Sequence, residues 1–88
     1  MMRAFCLLCI LKHLAQADVL MDEALLGYPL HKWRAVGHLA EAESECLDFS
    51  PPLAKRIRDY RLSYIDGNDI NIDGLLEEVS CKYDGMEK

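Results

Sequence analysis

Eighty-eight residues, of which 51% are apolar, with a net charge of −5, describe one small domain with enough apolar material for a packed core, which argues against global disorder. A chain of this length buries only a modest share of its surface, so association with another chain or a second copy would stabilise it. The acidic balance argues against general nucleic-acid binding and against binding to anionic membranes.

The charge is unevenly spread. Residues 1–49 carry four basic and seven acidic side chains, residues 50–65 four and one, and residues 66–88 two and seven. A basic island thus sits in an acidic protein, and the acidic remainder suits a protein partner with a basic surface. Four cysteines with no regular framework point to a reducing compartment, and a cytoplasmic location is expected.

The chain opens with MMRAFCLLCILKH, an Arg followed by an apolar run from Ala4 to Leu11. Lys12-His13 ends that run without a small-residue cleavage site, and it is far too short to span a membrane. It reads as the first turns of a buried helix over residues 3–26. Leu7, Ile10, Leu14, Ala17, Met21, Ala24 and Leu25 share one face of this helix, and Lys12, Gln16 and Glu23 oppose it. Asp18 falls against the apolar side, as a candidate buried acid.

Gly27 closes the first helix and Tyr28-Pro29 opens the second, since Pro suits a first helical turn. On a wheel of ~100° per residue, Leu30, Trp33, Val36, Ala40 and Leu47 fall on one side and are the expected core stripe. His31, Arg34, His38, Glu41 and Glu45 fall opposite them and form the candidate interaction face. Glu43 lies among the apolar residues as a second candidate buried acid. Gly37 costs ~1 kcal/mol against Ala inside a helix, and close approach of a neighbouring helix is its expected use.

The two helices share a pattern. His13-Leu14-Ala15-Gln16-Ala17-Asp18 resembles His38-Leu39-Ala40-Glu41-Ala42-Glu43, a weak internal repeat or a chance match of common helical residues. In an antiparallel hairpin turning at Tyr28, His13 would lie level with Glu43 and Asp18 level with His38, giving two reciprocal His–carboxylate pairs.

Ser50 and Pro51 open a third helix over 51–65, PPLAKRIRDYRLSYI, with Leu53, Ile57, Tyr60 and Tyr64 as its core stripe. Arg56 and Arg61 flank that stripe, where they could pair with Asp18 or Glu43. Asp66-Gly67 ends it. Beyond a loop, Asp73 caps a short fourth helix over 74–80 that docks through Leu75, Leu76 and Val79. Residues 81–88 read as a flexible acidic tail.

Few residue sets could carry chemistry. Cys6 and Cys9 form a C-x-x-C, but within an apolar helix and not after a strand. Cys6, Cys9 and His13 share a flank, and the hairpin brings Cys46 near, so three Cys and one His could make a zinc site; buried core thiols are the plainer reading. Asp69-Ile70-Asn71-Ile72-Asp73-Gly74 matches half of a calcium loop, but Ser80 stands where the bidentate acid is needed. His38-x-x-Glu41 inverts the order of the di-iron motif and lacks further ligands. No Ser or Cys stands in a nucleophile context, and no Gly-rich phosphate loop exists. The tyrosines of the basic island, Tyr60 and Tyr64, fall on a core stripe, so nucleic-acid stacking is not expected.

The expected fold is all-α: an up-down-up three-helix bundle with a short C-terminal fourth helix, one domain over 1–80 and a tail over 81–88. The expected function is non-catalytic protein–protein interaction of a regulatory, accessory or inhibitor type, with no cofactor, no catalytic residue and no membrane role. Two alternatives differ in class. One is a metal-binding helical protein using Cys6, Cys9, His13 and Cys46, or Asp18 and Glu43 with histidines. The other is a structural oligomerisation module, for instance a homodimer, with Trp33 or the Cys6–Cys9 flank as its interface.

Overall fold

The computed structural model describes the backbone of residues 2–87 and the side chains of residues 7–85. Four helices follow in chain order: α1 (Met2–Leu25), α2 (Leu30–Cys46), α3 (Pro51–Ile65) and α4 (Asp73–Glu87). The chain is an all-α bundle, and none of its helices among the described residues is long and apolar enough to cross a membrane.

The boundaries follow from local chemistry. Gly27, at φ +113°, ends α1 in a left-handed conformation that costs Gly little. Its N–H reaches the Ala24 carbonyl and that of Tyr28 reaches the Glu23 carbonyl, the paired bonds of a Schellman motif. Gly67, at φ +97°, repeats the device after α3, where its N–H meets the Tyr64 carbonyl and that of Asn68 meets Ser63. Ser50 is extended before α3, with Pro51 and Pro52 in the first turn; its hydroxyl makes no capping bond, so the proline pair supplies the start. At α4 the cap is not Asp73 but Asn71, whose side-chain oxygen accepts the Asp73 N–H at 2.8 Å. Asp73 instead places its charge in the first turn, where the helix dipole favours it.

α1 and α2 form an antiparallel hairpin; α3 packs on α2 and α4 packs on α1. Lys32 of early α2 sits over the ring of Tyr64 in late α3, its Nζ 5.1 Å from the centroid, so α3 runs back toward the hairpin turn. Asp73 at the start of α4 is close enough to Asp18 in α1 for its charge to disfavour the Asp18 carboxylate, and Lys82 late in α4 is close enough to Cys46 at the end of α2 to favour its thiolate. α4 therefore runs antiparallel to α1, and the order is up-down-up-down.

Leu7, Ile10, Leu14, Ala17 and Met21 line the core from α1. They share one core with Leu53, Ala54, Ile57 and Tyr64 of α3, with Ile72 just before α4, and with Leu75 and Val79 of α4. Ala24 is half-buried and Leu25 is exposed, so the α1 stripe stops a turn earlier than its periodicity implies. Tyr60 of α3 is half-buried at the core edge. α4 extends through residues 81–87, so the expected tail is helical up to Glu87.

The main correction falls on α2. Its buried residues are Ala35, Leu39, Ala42 and Cys46. The expected stripe of Leu30, Trp33, Ala40 and Leu47 faces outward, and only Val36 of that set is half-buried. α2 is thus turned by about one-third of a circumference from the orientation that its largest side chains suggest. The reason is packing distance. Three of the four inward residues are small, and small residues let two helix backbones approach closely where bulky ones hold them apart. Gly37 lies on the outward face, where a Cβ would meet nothing within 4 Å, so it does not serve the closely packed α1–α2 contact.

Candidate interaction surface

The seam between α1 and α2 gathers the histidines. The Nδ1 atoms of His13 and His38 stand 3.0 Å apart, with ring centroids at 5.2 Å. Such a contact is a hydrogen bond only if one ring donates Nδ1–H and the other offers a bare Nδ1. Burial is the first cause that lowers the affinity of His38 for a proton, and the His13 ring is the second; Glu41 opposes them and Lys12 adds to them. The expected His13–Glu43 and Asp18–His38 pairs do not form, because His38 points to α1 while Glu43 points to α3.

Position by position, the two similar hexamers occupy matching environments. His13 and His38 meet each other, Leu14 and Leu39 are buried, Ala17 and Ala42 are buried, and Asp18 and Glu43 are half-buried. The same offset of 25 residues relates Ile10 to Ala35 and Met21 to Cys46, all of them buried. The hairpin therefore carries a local pseudo-twofold near the histidine pair.

The two candidate acids have different fates. Glu43 Oε1 accepts bonds from Arg61 Nη2 at 2.7 Å and Nε at 3.2 Å, both side chains being about one-fifth exposed. Asp18 meets neither Arg56 nor Arg61. Burial, followed by the charges of Asp22 and Asp73, raises its carboxyl above the usual Asp range. Arg56 is taken by Glu78 of α4, at 2.8 and 3.0 Å to the two carboxylate oxygens, in a more exposed fork that ties α3 to α4.

The expected interaction face is split by the rotation of α2. Arg34, Glu41 and Glu45 are exposed, whereas His31 and His38 turn into the α1–α2 seam. His31 Nδ1 lies 3.3 Å from Glu23 and its ring stacks on Tyr28 at 5.4 Å. That approach is not an aligned hydrogen bond, since the buried Nδ1 has no hydrogen-bond partner.

Of the proposed zinc ligands, the three that are described, Cys9, His13 and Cys46, do not stand together as a metal-holding group. Cys9 is half-buried and Cys46 fully buried, both as free thiols, and burial pushes the Cys46 thiol up to about 11. The Nδ1 of His13 is directed at His38. The side chain of Cys6 lies outside the described residues. Among the described residues no three of His, Cys, Asp and Glu stand where they could hold a metal. The half-match to a calcium loop is the entry to α4: Asn71 caps the helix and Ile72 fills the core. An open cleft of about 620 Å³ between α3 and this entry is lined by Arg56, Asp59, Tyr60 and Asn71 among others, but Arg56 is already committed to Glu78.

What remains is a large apolar surface at the hairpin turn and along the outside of α2. Leu26 is 79% exposed, Leu25 77%, Leu30 76%, Trp33 and Tyr28 59% each, and Leu47 55%. A single exposed Leu is ordinary, but several large apolar side chains exposed on one helix and its adjoining turn, the sole tryptophan among them, are not. The signal was present in the sequence as a second apolar stripe on α2, away from Ala35, Leu39, Ala42 and Cys46. Compared with protein-family models, with curated proteins and with solved structures, the chain matches none.

Proposed function

We propose that this chain acts without catalysis, by binding another protein chain through the outer face of α2 and the adjoining α1–α2 turn. The observation that carries the reading is the exposure of Trp33 beside Leu30, Leu26 and Tyr28 on a chain whose described polar side chains leave none fully buried. Aromatic and aliphatic residues grouped in this way are the usual centre of a protein interface, with charged residues as its rim. Glu41 and Glu45 supply such a rim, and they suit a partner with a basic surface. The free thiols at Cys9, Cys46 and Cys81 fit a reducing compartment such as the cytoplasm.

A photo-crosslinking side chain placed at Trp33, compared with one at Arg58 on the exposed side of α3, tests the reading. Specific protein adducts from position 33 and not from position 58 are expected. Equal labelling from both positions, or none from position 33, would overturn it.

A further inference from the structure

The outer face of α2 has a spacing that the bundle does not use. Leu30, Trp33, Gly37, Ala40, Ser44 and Leu47 recur at intervals of three and four residues, the period of a left-handed helix pair. All six are exposed, and no protein atom lies within 4 Å of where a Gly37 Cβ would stand. The sizes run large, large, small, small, small, large.

We infer that this face binds a second copy of the chain, with α2 antiparallel to α2 across a twofold axis between residues 38 and 39. The inference rests on the interaction reading of the same face and names its partner. In that register Leu30 lies against Leu47 of the second copy, Trp33 fits over the small Ser44, and Gly37 meets Ala40 where the two backbones come closest. A parallel pairing would instead set Trp33 against Trp33 and leave a gap at Gly37. Charge selects the same orientation. Arg34 and Glu41 occupy the same flank of the stripe, and the antiparallel pairing brings each Arg34 beside the Glu41 of the other copy, twice by symmetry. Arg34 makes no ion pair within the described residues, which leaves it available for this one.

The test is sedimentation of the full chain over a range of concentrations, read together with Trp33 emission, since no other tryptophan contributes. A dimer is expected, with emission moving to shorter wavelength as Trp33 leaves water. Arg34→Glu should raise the dissociation constant by about tenfold or more, as it sets like charges side by side twice. Adding Glu41→Arg to it should restore dimerisation, while circular dichroism stays that of the folded chain throughout. A monomer at all concentrations, or a dimer indifferent to both Arg34→Glu and Trp33→Glu, would overturn the second copy as occupant. In either case adducts to a different protein from position 33 would leave the interaction reading standing, so the two ideas fail separately.

Discussion

At the scale of single residues, the ionisable groups separate by how much water they keep. The Glu43–Arg61 pair is largely shielded, and two of the Arg61 nitrogens reach one carboxylate oxygen. Glu43→Gln should cost about 1–2 kcal/mol in chemical denaturation, because it leaves a shielded guanidinium without its counter-charge. Arg56→Gln removes a fork that is more than one-third exposed on both sides and should cost no more than about 0.5 kcal/mol. Asp18→Asn should act in the opposite direction and stabilise slightly at neutral pH, since partial burial disfavours the charge it removes and Asp22 and Asp73 crowd it. If Glu43→Gln and Arg56→Gln have equal effects, the shielding of the first pair does not matter.

His38 gives the pH dependence. Its pKa in the folded chain is below the ordinary 6.5, so within the window under 6.5 the unfolded chain binds the proton more readily than the folded one. Stability therefore rises with pH through that window and is lost as pH falls through it. Melting followed from about pH 7.5 down to about pH 5.5 should show a decline that His38→Asn reduces. An unchanged slope in His38→Asn would mean that other groups set the decline.

Among the helices, glycine shows how position decides the sign of one substitution. Gly37 is helical, faces open space and is not needed for the bundle, so Gly37→Ala should raise the melting temperature of the single chain, by up to ~1 kcal/mol in helix propensity. Gly27 holds a left-handed conformation that ends α1, and Gly27→Ala should cost about 1 kcal/mol although it too has open space around it. Thermal melts of the two variants, taken at concentrations where the chain is monomeric, should move in opposite directions.

α2 also shows why a helical wheel picks out the right element and the wrong face. The wheel of α2 has two apolar arcs, one of large residues and one of mostly small ones. Ranking by side-chain size favours Leu30, Trp33 and Leu47, but the core went to Ala35, Leu39, Ala42 and Cys46. α1 and α3 carry one dominant stripe each, with Leu7, Ile10 and Leu14 or Leu53 and Ile57, and for them periodicity alone found the inward face. The candidate interaction residues divide accordingly: Arg34, Glu41 and Glu45 remain at the surface, while His31 and His38 lie in the seam.

For the molecule as a whole, the sequence by itself determined the all-α class, three of the four helix extents to within a residue or so, and the turns. Those depend on local rules: the spacing of apolar residues, Gly27 and Gly67 in left-handed caps, and prolines at helix starts. It also showed the similar hexamers, although their meaning as a pseudo-twofold hairpin needed the contact of His13 with His38. Only the tertiary structure decided which face of α2 is buried, that Glu43 pairs with Arg61 while Asp18 sits among acids, and that α4 continues to Glu87. Each of these depends on the distance between backbones far apart in sequence. That distance was set by small residues, which carry little weight in a reading of hydrophobicity but allow the closest packing.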